Sequence, residues 1–226
     1  MKLVMYTSIC VFAIFTASCS KDDSPASPPV ASMYASDYWM PTAAGTRLLL
    51  EETSVSTTGG ITTDSSVETS EFRMMPGTKT TRDGKSAFIL QNVNTSGSNR
   101  DTSFSYLVLS TASMMAYDDS LYAKDATTYL KAPITIGNTW LTKESDTLHS
   151  SITSVTETVV TPAGTFSNCI RVSNVVANPF VGVPMTQDFY LARGVGLVRM
   201  SLQATASIGG TTVTYRSNSL LKSKSF

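Results

Sequence analysis

The chain has 226 residues with 17 basic and 17 acidic side chains, so its formal charge is zero. That balance excludes a nucleic-acid partner recruited by charge, while a 42% hydrophobic content is enough to build a buried core. Only 15% of residues are charged, and 64 Ser and Thr take their place.

The first elements concern address rather than fold. Met1-Lys2 is a short positive start, and residues 3–16 (LVMYTSICVFAIFT) are largely apolar. Small residues Ala17-Ser18 follow, so residues 1–18 read as a secretory signal peptide, too short to span a bilayer of about 30 Å stably. Thr16-Ala17-Ser18-Cys19 resembles a bacterial lipobox, although Thr16 stands where that motif usually has Leu. The resemblance implies cleavage before Cys19 and lipid attachment to it, with two or three acyl chains holding the protein on a membrane. Ser20-Lys21-Asp22-Asp23 resembles the start of Bacteroidetes lipoproteins, in which Lys21, Asp22 and Asp23 would form a signal for export to the cell surface. The implied location is the outer membrane, facing outward.

Residues 19–37 are expected to be a lipidated tether. Pro25, Pro28 and Pro29 favour extended polyproline geometry, reaching about 50 Å over some seventeen residues. Of three cysteines, Cys10 lies in the leader and Cys19 is the lipid acceptor. Cys169 is then a single thiol with no intramolecular disulfide, expected to be a small buried residue.

From Tyr38 onward, Thr, Val, Tyr, Phe and Ile alternate with polar residues between Gly, Asn and Asp turns. This predicts one β domain over 38–226, with strands at 46–56, 61–75, 86–93, 102–110, 112–117, 139–146, 148–160, 165–177, 185–192, 197–207 and 211–221. Asp83-Gly84 and Gly209-Gly210 are the best two-residue hairpin turns. Residues 121–131 (LYAKDATTYLK) could form a short helix. Val198, Met200, Leu202 and Ala204 alternate with Arg199, Ser201, Gln203 and Thr205, a strand with one dry face and one wet face. The fold class is therefore all-β: an antiparallel meander of about 10–11 strands forming a curved sheet, half-barrel or sandwich.

Two segments echo one another. Pro41, Gly45, Thr46 and Leu48 are matched 92 residues later by Pro133, Gly137, Asn138 and Trp140. Each delivers a strand from a Pro/Gly turn, which two similar half-sheets or a common way of starting a strand would both produce. Residues 129–206 also resemble a pattern of uncharacterised bacterial exported proteins, in Pro133/Gly137/Trp140, Pro162-Ala163-Gly164-Thr165-Phe166 and Gly194-Val195-Gly196. A long meander on an envelope lipoprotein is similar to the open-barrel carriers of the LolA/LolB type, which implies a hydrophobic cargo inside a curved sheet.

Catalytic patterns are sparse. His149 is the one histidine and falls on a polar strand face; a zinc set lacks His and Cys partners. Asp118-Asp119 and Glu51-Glu52 are adjacent, and adjacent strand residues point to opposite faces. A hydrolase built on carboxylates paired across strands is the enzymatic alternative. The preferred reading is non-enzymatic, with no cofactor and no metal. Its ligand would be a glycan, a protein or a lipid, and Trp39, Trp140 and Tyr190 are the candidate binding aromatics. Asp119-Ser120-Leu121 and Asp146-Thr147-Leu148 resemble short Bacteroidetes O-glycosylation sites.

Overall fold

A computed structural model describes residues 33–144, 148–177 and 184–226. The leader, Cys19, Lys21, Asp22, Asp23, the prolines of the tether, and Asp146-Thr147 lie outside the described residues.

Among the described residues twelve strands make one sheet: β1 (Arg47–Thr58), β2 (Ile61–Thr80), β3 (Ser86–Ser96), β4 (Asn99–Leu109), β5 (Ser113–Tyr117), β6 (Thr127–Lys131), β7 (Thr139–Leu141), β8 (His149–Thr161), β9 (Gly164–Ala177), β10 (Pro184–Ala192), β11 (Gly196–Ile208) and β12 (Thr211–Ser225). Their spatial order is β6-β5-β4-β3-β2-β1-β12-β11-β10-β9-β8-β7, with every neighbouring pair antiparallel. The all-β antiparallel meander therefore stands, with β1 pairing to β12 so that the two ends of the chain close the middle of the sheet. The sheet curls into a nearly closed barrel. Its two edges, β6 and β7, meet through a backbone bond from Thr128 N to Thr142 O (2.8 Å), through Trp140 Nε1 donating to Thr128 O (2.9 Å), and through Asn138 Nδ2, just before β7, donating to Lys131 O (2.7 Å).

The echo between residues 41–48 and 133–141 is structural as well. Gly45 N donates to Met74 O and Met74 N donates to Thr46 O (both 2.9 Å); Gly137 N donates to Ile152 O (2.9 Å) and Ile152 N donates to Asn138 O (3.0 Å). Both glycines take positive φ, +90° and +87°, a region only glycine enters without strain. Each starter thus hooks onto the second strand of its half, and the barrel is two six-stranded meanders, β1–β6 and β7–β12, begun the same way.

Three sequence expectations change. Residues 121–131 do not form a helix: Ala123–Asp125 is a 3₁₀ turn and Thr127–Lys131 is β6. Thr127, Thr128 and Tyr129 favour an extended chain, and β5 offers a partner edge that a helix could not use. Two-residue hairpin turns form at Gly209-Gly210 as expected and also at Gly59-Gly60 (φ +59° and +83°), Gly97-Ser98 and Pro162-Ala163, whereas Asp83-Gly84 sits in a longer connection closed by Thr81 N to Lys85 O. Finally, Met33–Asp37, assigned by sequence to the tether, belongs to the body. Ala35–Tyr38 is a 3₁₀ turn whose Ala35 and Tyr38 are buried, because the Ala35 and Ser36 amides donate to Thr111 O and Ser110 O and leave a small apolar face turned inward.

Two features cover the barrel from outside. The connection 118–126 lies over Tyr106, Val108 and Tyr117 on the outer face of β4 and β5, burying Ala126 with them. Beyond Ile170, β9 leaves β10, and the β8–β9 hairpin bends at its register breaks until Ala163 N donates to Leu221 O of β12.

Candidate functional site

Residues opposite one another on neighbouring strands share a face, so the register identifies the barrel's interior. Leu48, Leu50 and Glu52 of β1 face inward opposite Phe72, Ser70 and Glu68 of β2. Met200 of β11 faces Ser219 of β12, which in turn faces Glu52. The interior is consequently graded along the barrel axis. One end is apolar, packed by Leu48, Met74, Leu90 and Leu107, and plugged by Tyr38, Trp39 and Met40. The other end turns to Ser and Glu: the Ser217 and Ser219 hydroxyls both donate to the Glu52 carboxylate, and Ser54 meets Ser66 at 2.8 Å.

Between these ends lies an interior cavity of about 150 Å³. Its walls are Trp39, Leu50, Phe72, Leu107, Met114 and Tyr129, with Phe189, Leu191, Leu197 and Met200 on the opposite side. A bulge at Val198 in β11 lets both Leu197 and Met200 face this space, although strict alternation would put them on opposite faces. Tyr129 and Phe189 pack edge to face across the wall, centroids 5.8 Å apart at 83°. Burial pushes the Tyr129 phenol above its ordinary pKa, because a phenolate would be desolvated there. Four polar side chains reach the lining, Ser70, Asn92, Ser105 and Ser219, and among the described residues no charged side chain does. Asn92 Nδ2 donates to Ser105 Oγ (3.0 Å), but Asn92 Oδ1 and Trp39 Nε1 are buried with no partner among the described residues. Asn174 Oδ1 is also unpartnered, but it does not line the cavity.

The plug is fixed at its ends rather than through the cavity. Asp37 pairs with Arg193 at 2.8 Å, and Gly194 N donates to Asp37 O at 2.7 Å. Trp39 lines both the cavity and an open cleft beside Asp37, Pro41 and Arg193, so this residue borders both spaces.

The three aromatics singled out by sequence do not share one surface. Trp39 is on the cavity. Trp140 is buried at the β6–β7 seam with its N–H already used. Tyr190 is buried outside the cavity, with the Arg199 guanidinium 5.0 Å from its ring centroid. Tyr129, one of the chain's aromatics open to a ligand role by composition, joins Trp39 on the cavity, and Asn92 completes the site unmarked by the sequence, because only strand register reveals which residues face inward. Its one signal was alternation: Asn92 falls two residues after buried Leu90.

The remaining reactive groups are placed apart. His149 is exposed. Cys169 is fully buried, its thiol pushed up to about 11 chiefly by that burial. Glu51 pairs outward with Lys222 while Glu52 faces in. Ser120 of the 119–121 segment donates to Asp118, whose carboxyl is held below its ordinary pKa by that bond. Among the described residues no helix is long and apolar enough to cross a membrane.

No protein-family model matches this chain, and no curated protein does. In fold it is similar to the crystal structure of a Bacteroides fragilis protein described as exported, with a YmcC-like fold. The TM-score is 0.50 at 15% identity, over 83% of this chain and 99% of that one. A Parabacteroides distasonis protein described as a lipoprotein aligns over 82% of this chain and 97% of its own, with a TM-score of 0.45 and 14% identity. At such identity the first likeness shows the fold alone.

Proposed function

We propose that this is a lipid-anchored protein of the bacterial cell envelope, not an enzyme, whose barrel holds a hydrophobic ligand. The observation that carries the reading is the apolar cavity inside the sheet with a few polar groups in its wall, the usual make-up of a small-molecule site. Its volume is that of a cavity able to hold benzene, roughly 150 Å³, so the cargo inside is ring-sized rather than a whole phospholipid. The lipobox-like Thr16–Cys19 and the exported neighbour of the same fold support the envelope location, with membrane contact through lipid on Cys19. The exposed His149 and the buried Cys169 stand apart, and Glu52, opposite Glu68 across β1 and β2, is engaged by the Ser217 and Ser219 hydroxyls, which supports a binding role over hydrolysis.

Two measurements test this. Protein purified without denaturation should release a hydrophobic compound into organic solvent, detected by mass spectrometry, or gain thermal stability from toluene. Finding neither would sink the ligand reading. A palmitate analogue should label the wild-type chain and not Cys19→Ala; equal labelling of both would sink the anchor.

A polar groove on the outer face of β10–β12 favours a second reading, a glycan-binding surface. Asp188, Arg199, Gln203, Arg216 and Asn218 line it, with Arg199 Nε donating to Asn218 Oδ1 at 2.8 Å. A glycan array would discriminate: retention on a saccharide that Arg216→Ala abolishes supports this groove, and a blank array removes it.

A further inference from the structure

We propose that the cavity's ligand is a neutral, ring-sized amphiphile that accepts a hydrogen bond from Trp39 Nε1 and donates one to Asn92 Oδ1. The proposal rests on the hydrophobic-ligand reading above and goes beyond it by naming the ligand's polar chemistry.

A purely apolar ligand would leave two buried polar atoms unsatisfied. Burying an amide oxygen or an indole N–H without a partner costs free energy that a packed barrel can ordinarily avoid by placing Leu or Phe there. Here the rest of the Asn92 amide is anchored, its Nδ2 on Ser105 Oγ, so its oxygen is held as an acceptor. Trp39 supplies the complement, a donor on the same cavity. A hydroxyl-bearing or amide-bearing ring offers both kinds of partner. The lining also argues against a charged ligand. No cation or carboxylate among the described residues borders the cavity, and bringing an unpaired charge into such a site is strongly disfavoured. Trp39 adds a route, since it borders both the cavity and the cleft beside Asp37 and Arg193.

The test is calorimetric titration of the full chain carrying Cys19→Ala with three probes of similar size: p-xylene, p-cresol and benzoate. p-Cresol should bind about tenfold more tightly than p-xylene, the effect of one hydrogen bond to a buried group, and benzoate should not bind measurably. In Trp39→Phe, which keeps an aromatic ring and loses the donor, the ratio of p-cresol to p-xylene affinity should fall toward one, whatever change in affinity the two probes share. Equal affinities for p-xylene and p-cresol in the parent chain would overturn the polar pairing and leave the hydrophobic site standing. Benzoate binding as tightly as p-cresol would overturn neutrality. No binding of any probe would overturn the hydrophobic site itself. The comparison in the parent chain stands independently of how Trp39→Phe folds.

Discussion

Gly196 shows how one residue holds the plug in place. Its φ is +91°, and a Cβ there would sit 3.2 Å from Met40 N, in the backbone of the plug itself. Gly196→Ala therefore meets both backbone strain and a steric neighbour that cannot rotate away. A loss of about 1–3 kcal/mol is expected, read by denaturant unfolding. A substitution at Gly210, also at positive φ (+81°) but with nothing within 4 Å, should show the strain component alone and cost less. Asp83 makes a separate prediction about pH. A hydrogen bond from Lys85 (2.7 Å), then one from Thr81 (2.6 Å), holds its carboxyl down to about 2. A carboxyl depressed below its unfolded value of about 3.9 stabilises the fold above that pH, and the contribution is lost as pH falls toward 2. Asp83→Asn should therefore lower Tm at pH 6, with the deficit narrowing below about pH 4 and closing only as the pH falls through about 2. A pH-independent deficit would remove the ionic explanation.

Among the elements, the β6–β7 seam is the weakest closure of the barrel. β7 has three residues and β6 has five, short edges that present little ladder to another chain. Among the described residues a backbone bond, the Trp140 indole and the Asn138 side chain join them. Trp140→Phe keeps most of the buried ring and removes the bond to Thr128 O, so a cost of about 1–3 kcal/mol is expected. Hydrogen exchange should speed up first at Thr128 and the neighbouring amides of β6. Uniform acceleration across β1 and β12 instead would mean that the seam is not a separate unit. Most strands were legible from Thr- and Val-rich alternation between glycine turns, as β11 illustrates with Met200 and Leu202 in and Ser201 and Gln203 out. β6 was not legible, because Leu121 to Lys131 carries a helix-like spacing of Leu, Ala, Lys and Tyr. The pairing edge offered by β5 overrode that local preference. The tether boundary was misplaced for a related reason: Ala35 looks like linker composition until the turn Ser110–Ala112 covers it.

At the scale of the whole molecule, two half-barrels share a starter, and their junctions differ in strength. β12 pairs along its length with both β1 and β11, and it supplies the fully buried Leu221. Ending the chain at Gly210 would expose two long strand edges and open the apolar end of the cavity. Such a chain should show no cooperative thermal transition, whereas removing only Phe226, which is half exposed, should leave Tm nearly unchanged. A cooperative transition in the shorter chain would mean that β12 is not needed to close the barrel.

The sequence by itself determined the β class and the positions of most strands, because these depend on residue type and spacing within a few positions. It also carried the repeat of Pro41–Leu48 in Pro133–Leu141, but not that both hook onto the second strand of a six-stranded half. Tertiary structure alone decided which aromatic faces the cavity, since Trp39, Trp140 and Tyr190 are equally apolar and only register and the bulge at Val198 sort them. It alone also left Trp39 Nε1 and Asn92 Oδ1 unpaired. Whether a buried polar atom finds a partner depends on groups contributed by strands distant in the chain, and no local pattern encodes that.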